Sequence, residues 1–488
     1  MGPESVRSRV QSGSVALDQR CWLEAAVGTA SIVASERAAF HGLQAQQLSL
    51  TSGAFVGVTN RGLGNEGMVF TAGREYEGYI WAKAIGAAPL TLEVALEDHV
   101  HTGAADAPAV LASQKLQLSA GAGRGPAAWQ QLRFTLTPQR STDCEGIANA
   151  EAWPRFRVSC PINNTYDGGT AADGRLSDDS AHVCVRCAGQ FRISLNSVGT
   201  ALVDYAFLQP GPWGRLNSSD GTPLPVLRDG PEAMAQMGVT LFRLGGSYTK
   251  EPAQTNVTGA TGGDYSWKHW RGPAWNRTSV GVGWRNSRYT GWGIFEAMDM
   301  TAAMGWDNVM TLYGHDSPQD YADLVEYCWG DETTEWGNLR HADGHPAEFD
   351  LRRVEIGNEE YNADFGAEAL AMEEKAAQLG RPNRLFFIFP AQRSSYPDAT
   401  LQRQLAAMTE KLGDHMVVDQ HVHWASVTQP RNSRGFPDGN LNDTARMEML
   451  ALTSTGWNTG IYWAQQVWDV LPTFGSTNLE TNIGDHTM

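Results

Sequence analysis

The chain of 488 residues has no run of about 18 apolar residues, the length a helix needs to cross a bilayer. No helical membrane span is therefore expected. Basic charge is also short: 37 Lys and Arg stand against 54 Asp and Glu, a formal net charge of -17. An acidic surface repels nucleic acid and anionic lipid, so neutral small molecules or polymers are the expected partners. The opening Met1-Gly2-Pro3-Glu4-Ser5 has no basic start followed by an apolar run, so no secretory signal is visible. Cysteine is sparse, six in all. Four of them, Cys144, Cys160, Cys184 and Cys187, crowd into one polar segment at 141–188.

That segment is rich in Gly, Asp and Asn and has little to bury, so disulfides could staple it. Cys184 and Cys187, with His182 nearby, also have the spacing of a zinc knuckle. A structural zinc site usually shows a second close pair, which is missing here, so bridging is preferred and no metal is expected. Cys21 and Cys328 read as single thiols. Asn163, Asn217, Asn256, Asn276 and Asn442 each open a glycosylation triplet. Bridged cysteines and glycan acceptors together predict a secreted or secretory-pathway glycoprotein.

What is present divides in two. Residues 1–47 are mixed and stay unassigned. From Leu48 the chain runs in short alternating stretches at 55–60, 77–84, 90–96, 131–137, 191–195 and 201–209, with turn residues between them. Such a pattern predicts a β-sandwich over 48–210, with the Cys-rich segment inserted between two of its strands. Helical and strand-like runs then alternate over 211–488. Helices are predicted at 228–238, 293–305, 366–380 and 400–413, and another starting at Ser317-Pro318 as cap and first residue. On that last helix Tyr321, Leu324, Val325 and Cys328 share one stripe. Strands are predicted at 239–246, 308–314, 384–390 and 416–424. This alternation implies a parallel sheet, closed as a barrel.

The most informative stretch is 351–362. Val354 and Ile356 share one face of a strand. Gly357 ends it, and Asn358, Glu359 and Glu360 follow. In a barrel of parallel strands this carboxyl end is where chemistry sits. The stretch Glu355-Ile356-Gly357-Asn358-Glu359, approached through Trp336-Gly337 and Gly344-His345-Pro346, resembles the α-L-arabinofuranosidases of glycoside hydrolase family 51. Gly-Asn-Glu after a strand is the acid/base signature of their retaining clan. The runs at 60–84 and 203–216 resemble the carbohydrate-binding-like sandwich of the same family.

The resemblance implies an α/β-plus-β chain: a (β/α)8 TIM-type barrel with an N-terminal β-sandwich. It implies release of α-L-arabinofuranosyl groups from a carbohydrate polymer or oligosaccharide, with no cofactor. Glu359 would be the general acid/base, and Asn358 would bond the sugar hydroxyl beside the reacting carbon. Glu355 is expected to be supporting and Glu360 solvated. Arg243, Leu244, Gly245 and Gly246 resemble the family's Arg-x-Pro-Gly-Gly turn without its Pro. There Arg243 could orient a carboxylate by a two-pronged bond, and Gly246 would let substrate approach. Trp267, in the aromatic stretch 265–275, is expected to form a sugar platform or to pack as core. His421 would line the sugar site, with His423 close by. A same-clan glycosidase for another sugar, or a carbohydrate-binding homologue without turnover, stays open.

Two departures shape the expectation. Family members begin with a barrel strand before the sandwich, and no such segment precedes Leu48. The nucleophile should be a Glu at a later strand end, yet Glu448 reads as helical and Glu480 as part of a polar tail. Gln465 and Gln466, in the strand-like stretch 460–468, cannot ionise. The family's closing C-terminal sandwich is likewise unseen. The barrel is therefore expected to be incomplete, with the second carboxylate unassigned.

Overall fold

The computed structural model of the chain describes residues 22–35, 39–41, 45–60, 68–98, 108–120, 129–142, 189–245, 266–277, 280–281, 288–289, 292–358, 362, 364–391, 406–408, 410–413, 415–420 and 475–477. They belong to two compact units. The first comprises Met1–Glu232, Ala253–Gly262 and Thr278–Gly291, the second Ala233–Pro252, Gly263–Arg277 and Trp292–Met488.

Eight antiparallel strands build the first unit: β1 Trp22–Ser35, β2 Ala45–Asn60, β3 Tyr76–Ile85, β4 Leu90–Asp98, β5 Ala109–Leu118, β6 Gln130–Leu136, β7 Gly189–Leu195 and β8 Gly199–Pro210. Their order is β5-β4-β7-β2-β8-β3-β6, with β1 on β2. β2 makes the layer fold over itself. Its first half, Gln46 to Leu50, pairs with β8, and its second half, Val56 to Asn60, pairs with β7. Between them residues 51–54 are exposed and Gly53 takes a positive φ of 105°, a conformation cheap only for glycine. The inward positions then meet in one apolar core. Leu48, Val56, Ile80, Leu92, Leu96, Leu118, Ile193 and Leu195 are all at most 1 % exposed, each worth roughly 1.5–3 kcal/mol of burial. A hairpin of β9 Arg215–Asn217 and β10 Pro223–Leu227, and a short one of β12 Val280–Gly281 and β13 Arg288–Tyr289, also lie in this unit. The region is β-rich and sandwich-like.

β1 and β5 escape a reading by alternation. β1 is Ala-, Ser- and Gly-rich, so no polar face marks its period. In β5 a bulge against Leu96 and Glu97 breaks the alternation.

The second unit carries a six-stranded parallel sheet in the order β11-β14-β15-β16-β17-β18. The strands are β11 Leu241–Leu244, β14 Asp307–Leu312, β15 Arg353–Ile356, β16 Phe386–Ala391, β17 Met416–Gln420 and β18 Gly475–Thr477. Helices alternate with them: α2 Ile294–Met304, α3 Pro318–Trp329, α4 Glu335–Ala342 and α5 Phe365–Gln378 follow α1 Asp229–Gln236, which spans the boundary of the units. Gly305 closes α2 in the left-handed region with φ 68°. Ser317 caps α3 by accepting from the Asp320 amide, with Pro318 at the first turn. Tyr321, Leu324, Val325 and Cys328 are each 0 % exposed, the stripe that their spacing predicts.

Two elements here were not legible. α4 occupies the approach to β15, a stretch to which the sequence reading assigns no element. β18 runs parallel to β17 and ends three residues before Glu480. The expectation that Glu480 follows no strand is thereby corrected; a three-residue strand is too short to show a period.

The loop entering β15 is clipped by His345. Its ring stacks on Phe349 at 3.8 Å, Nδ1 faces the Ala347 carbonyl at 2.8 Å, and Nε2 faces Asp299 Oδ1 on α2 at 3.1 Å. Both ring nitrogens meet acceptors, so only the imidazolium satisfies both. Burial pulls the His345 pKa down, but the Asp299 bond and charge and the Ala347 carbonyl outweigh burial and the opposing Arg340 charge, and hold it above the ordinary value. A pKa raised on folding stabilises below the ordinary histidine value near 6.5. That contribution fades as pH climbs through the raised value. Unfolding midpoints taken from pH 6 upward are expected to fall more steeply for the parent than for His345→Gln. Parallel curves would rule out this clip.

Candidate active site

The chemistry gathers on the face that β11, β14 and β15 share toward the carboxyl end of the sheet. Parallel pairing sets Arg243 beside Val309 and Thr311 beside Glu355. Residues two apart along a strand point the same way, so Arg243, Thr311 and Glu355 meet. Arg243 grips Glu355 with two prongs, Nε to Oε2 at 2.7 Å and Nη2 to Oε1 at 3.0 Å. The Thr311 hydroxyl donates to Glu355 Oε2 at 2.5 Å. Glu355 is 0 % exposed and Thr311 1 %. Three donors meet the buried carboxylate, two of them from the Arg243 guanidinium, and they offset the cost of taking it out of water.

β15 then breaks at Gly357, whose φ is 93° and whose amide donates to the Leu312 carbonyl at 3.0 Å. The break turns Asn358 back over the ion pair. Its Oδ1 accepts from Arg243 Nη2 at 2.8 Å. Its Nδ2 is buried and has no hydrogen-bond partner among the described residues. A buried amide donor left bare costs about 1–3 kcal/mol, a cost that a ligand oxygen would remove.

Asn362 is held by its own bonds. Its Nδ2 donates to Glu368 Oε2 at 2.6 Å, and its Oδ1 accepts from the Asp364 amide at 2.9 Å. Asn362 is thereby tied to the start of α5. Glu359, Gly246, His421 and His423 themselves lie outside the described residues.

Trp267 belongs to the core. It is 1 % exposed, lies 5.1 Å from Trp336 and 5.3 Å from Tyr327, ring centre to ring centre, and donates Nε1–H to the Asp320 carbonyl at 2.8 Å. No face is left for a sugar, so the platform role is withdrawn and the packing role stands. Its neighbour Lys268 bonds Asp320 and Asp323 and sits 4.7 Å from the centre of the Trp336 ring. Arg277 bonds Glu296 and the Gly272 carbonyl. The described part of this aromatic stretch is thus fastened to α2, α3 and α4.

Thr311 is the residue that sequence reading missed. Nothing in a strand-like stretch marks one hydroxyl as facing the site. Glu355 was read as supporting, and its place under Arg243 gives that role its geometry. Among the described residues no group of three or more metal-ligating side chains occurs.

A family model, the Alpha-L-arabinofuranosidase 1 domain, matches residues 233–428. Over 335 residues the chain is 24% identical to an extracellular exo-alpha-L-arabinofuranosidase of Streptomyces chartreusis, covering 64% of this chain and 32% of that one. It is 32% identical over 155 residues to Alpha-L-arabinofuranosidase 2 of Arabidopsis thaliana, covering 29% and 21% of the two chains. These matches span a third or less of the relatives' own length. An arabinose-bound family 51 α-L-arabinofuranosidase structure superposes with a TM-score of 0.52 at 19% identity, covering 83% of this chain and 55% of that one. At that identity the likeness speaks for the fold: the parallel sheet belongs to a TIM-type barrel.

Proposed function

We propose that this chain, a partial relative of the family 51 α-L-arabinofuranosidases, is a glycosidase that releases α-L-arabinofuranosyl groups from arabinose-containing polysaccharides with retention of configuration. The observation that carries this reading is Asn358. A buried amide with a bare N–H sits at the carboxyl end of a barrel strand, one residue before Glu359. That is a donor awaiting a sugar hydroxyl beside a proton source.

In this reading Glu359 protonates the departing glycosidic oxygen and later takes a proton from water. A second carboxylate, about 5–5.5 Å away, attacks the anomeric carbon from the opposite face. Glu480 is our candidate for it, because β18 is the next strand of the sheet after β17 and Glu480 follows it closely. Arg243 is engaged by Glu355 and Asn358, so it orients the site instead of holding a charged substrate. That favours a neutral sugar, as the acidic chain does. Gly246, His421 and His423 complete the proposed sugar site.

The unit built on 48–210 is proposed to add carbohydrate-binding surface to the catalytic barrel of 211–488. Secretion as a glycoprotein with bridged cysteines in 141–188 belongs to the same proposal. Two acceptor asparagines, Asn217 and Asn276, are described and both are exposed. The Streptomyces relative is named as extracellular, and among the described residues no helix is long and apolar enough to cross a membrane.

The test offers the purified chain a panel of aryl glycosides, with the anomer of the first product read by NMR. Preferred release from the α-L-arabinofuranoside, with the α-anomer formed first, is expected. Preference for another sugar would transfer the reading to a same-clan enzyme. Binding of arabino-oligosaccharides without turnover would leave a carbohydrate-binding homologue.

A further inference from the structure

We infer that Thr311 and Glu355 act through Arg243 as positioning residues that lock the Asn358 amide in one orientation, so that the site reads a hydrogen-bond acceptor on the sugar. This rests on the function proposed above and names what selects the substrate there. An asparagine amide has two faces, and the wrong one would offer an oxygen where a hydroxyl oxygen must dock. Here the choice is forced. Oδ1 accepts from the guanidinium at 2.8 Å. A flipped amide would set N–H against N–H. Nδ2 is therefore the atom left facing the site.

The guanidinium is itself held in place. Nη2 serves both Glu355 Oε1 and Asn358 Oδ1, while Nε binds Glu355 Oε2. A rotation of the Glu355 carboxyl would therefore drag the Asn358 contact with it. Thr311 opposes that rotation by donating to the same Oε2 at 2.5 Å. Thr311 in turn is packed under Gly245. A Cβ at that position would lie 1.9 Å from Thr311 Cβ, so the strand end of β11 covers the threonine with nothing between. Four residues from three strands and the turn after β15 thus form one chain, Thr311, Glu355, Arg243 and Asn358, buried except for the partly exposed Arg243.

The deciding experiment compares Thr311→Val, which keeps shape and loses the hydroxyl, with Thr311→Ser, which keeps the hydroxyl. Thr311→Ala replaces the first if it does not fold. In asparagine-labelled protein the Asn358 side-chain amide, assigned by Asn358→Asp, is expected as one sharp NMR pair. It should broaden or double in Thr311→Val and be restored in Thr311→Ser. On substrate, kcat/KM for an α-L-arabinofuranoside should fall about 5- to 20-fold in Thr311→Val, and little for the 2-deoxy analogue, which lacks the hydroxyl that Asn358 meets. An unchanged amide pair, or equal losses on both substrates, overturns the inference. If no variant and no parent turns over arabinofuranosides, the function fails while the NMR pair still decides the relay.

Discussion

Glu359→Gln is expected to lower the release of arabinose from a polysaccharide by about 10²–10⁴-fold, the usual worth of a general acid. The amide keeps the size of the carboxyl and loses the proton. A sugar alkoxide is a poor leaving group and needs that proton as the bond breaks. An aryl leaving group with a low pKa does not, so bond cleavage in an activated aryl arabinofuranoside should be much less affected. Its second step should then stall, because the same residue must take a proton from water. Added azide needs no base, so it should restore turnover and appear in the product as the glycosyl azide. Equal losses on natural and activated substrates, with no azide rescue, would remove Glu359 from the acid/base role. Substrate binding should survive, since Asn358 and Arg243 keep their mutual bonds.

The second large effect concerns stability. Glu355→Ala should destabilise the barrel unit by about 3–5 kcal/mol, the cost of leaving one buried charge without its partner. Arg243 would keep its bond to Asn358 but face a hollow where two carboxylate oxygens stood. Whole domains are stable by only about 5–15 kcal/mol, so such a loss takes a large share. Replacing both partners with apolar residues, Arg243→Met with Glu355→Leu, should cost clearly less than Glu355→Ala, because no orphan charge remains. Both variants should lose turnover, Glu355→Ala because the guanidinium that bonds Asn358 is no longer held in place, and the double variant because that donor is gone. Urea unfolding checks the ordering. A double variant no more stable than the single one would mean that the pair is held for reasons other than mutual neutralisation.

The two predictions separate two kinds of information. The role of Glu359 itself comes from the resemblance and is a proposal. The strand end before it was legible in the sequence, through the apolar pair Val354 and Ile356 and the glycine that follows, because a strand and its terminus are written consecutively. The same holds for Ser317 and Pro318 at the head of α3 and for its buried stripe. The Thr311–Glu355–Arg243 cluster joins residues up to 112 positions apart. No local period records which of three strands will lie adjacent, or in what register.

Trp267 illustrates the limit from the other side. An aromatic near a barrel's mouth and an aromatic in its helical layer look identical in a chain of letters. Packing against Trp336 and Tyr327 decided it. β1 and β18 were hidden because one lacks a polar face and the other lacks length.

By itself, then, the sequence determined the alternation of strand and helix, the β-rich region ahead of it, and the strand that carries Val354 and Ile356 and breaks at Gly357. These follow from side-chain period and turn chemistry within a few residues. The tertiary structure alone decided that Glu355 is neutralised by Arg243, that Thr311 holds it, and that the Asn358 N–H is left bare among the described residues. Those depend on parallel register across β11, β14 and β15. A buried charge or donor is satisfied, or left open, only by what the neighbouring strand brings to it.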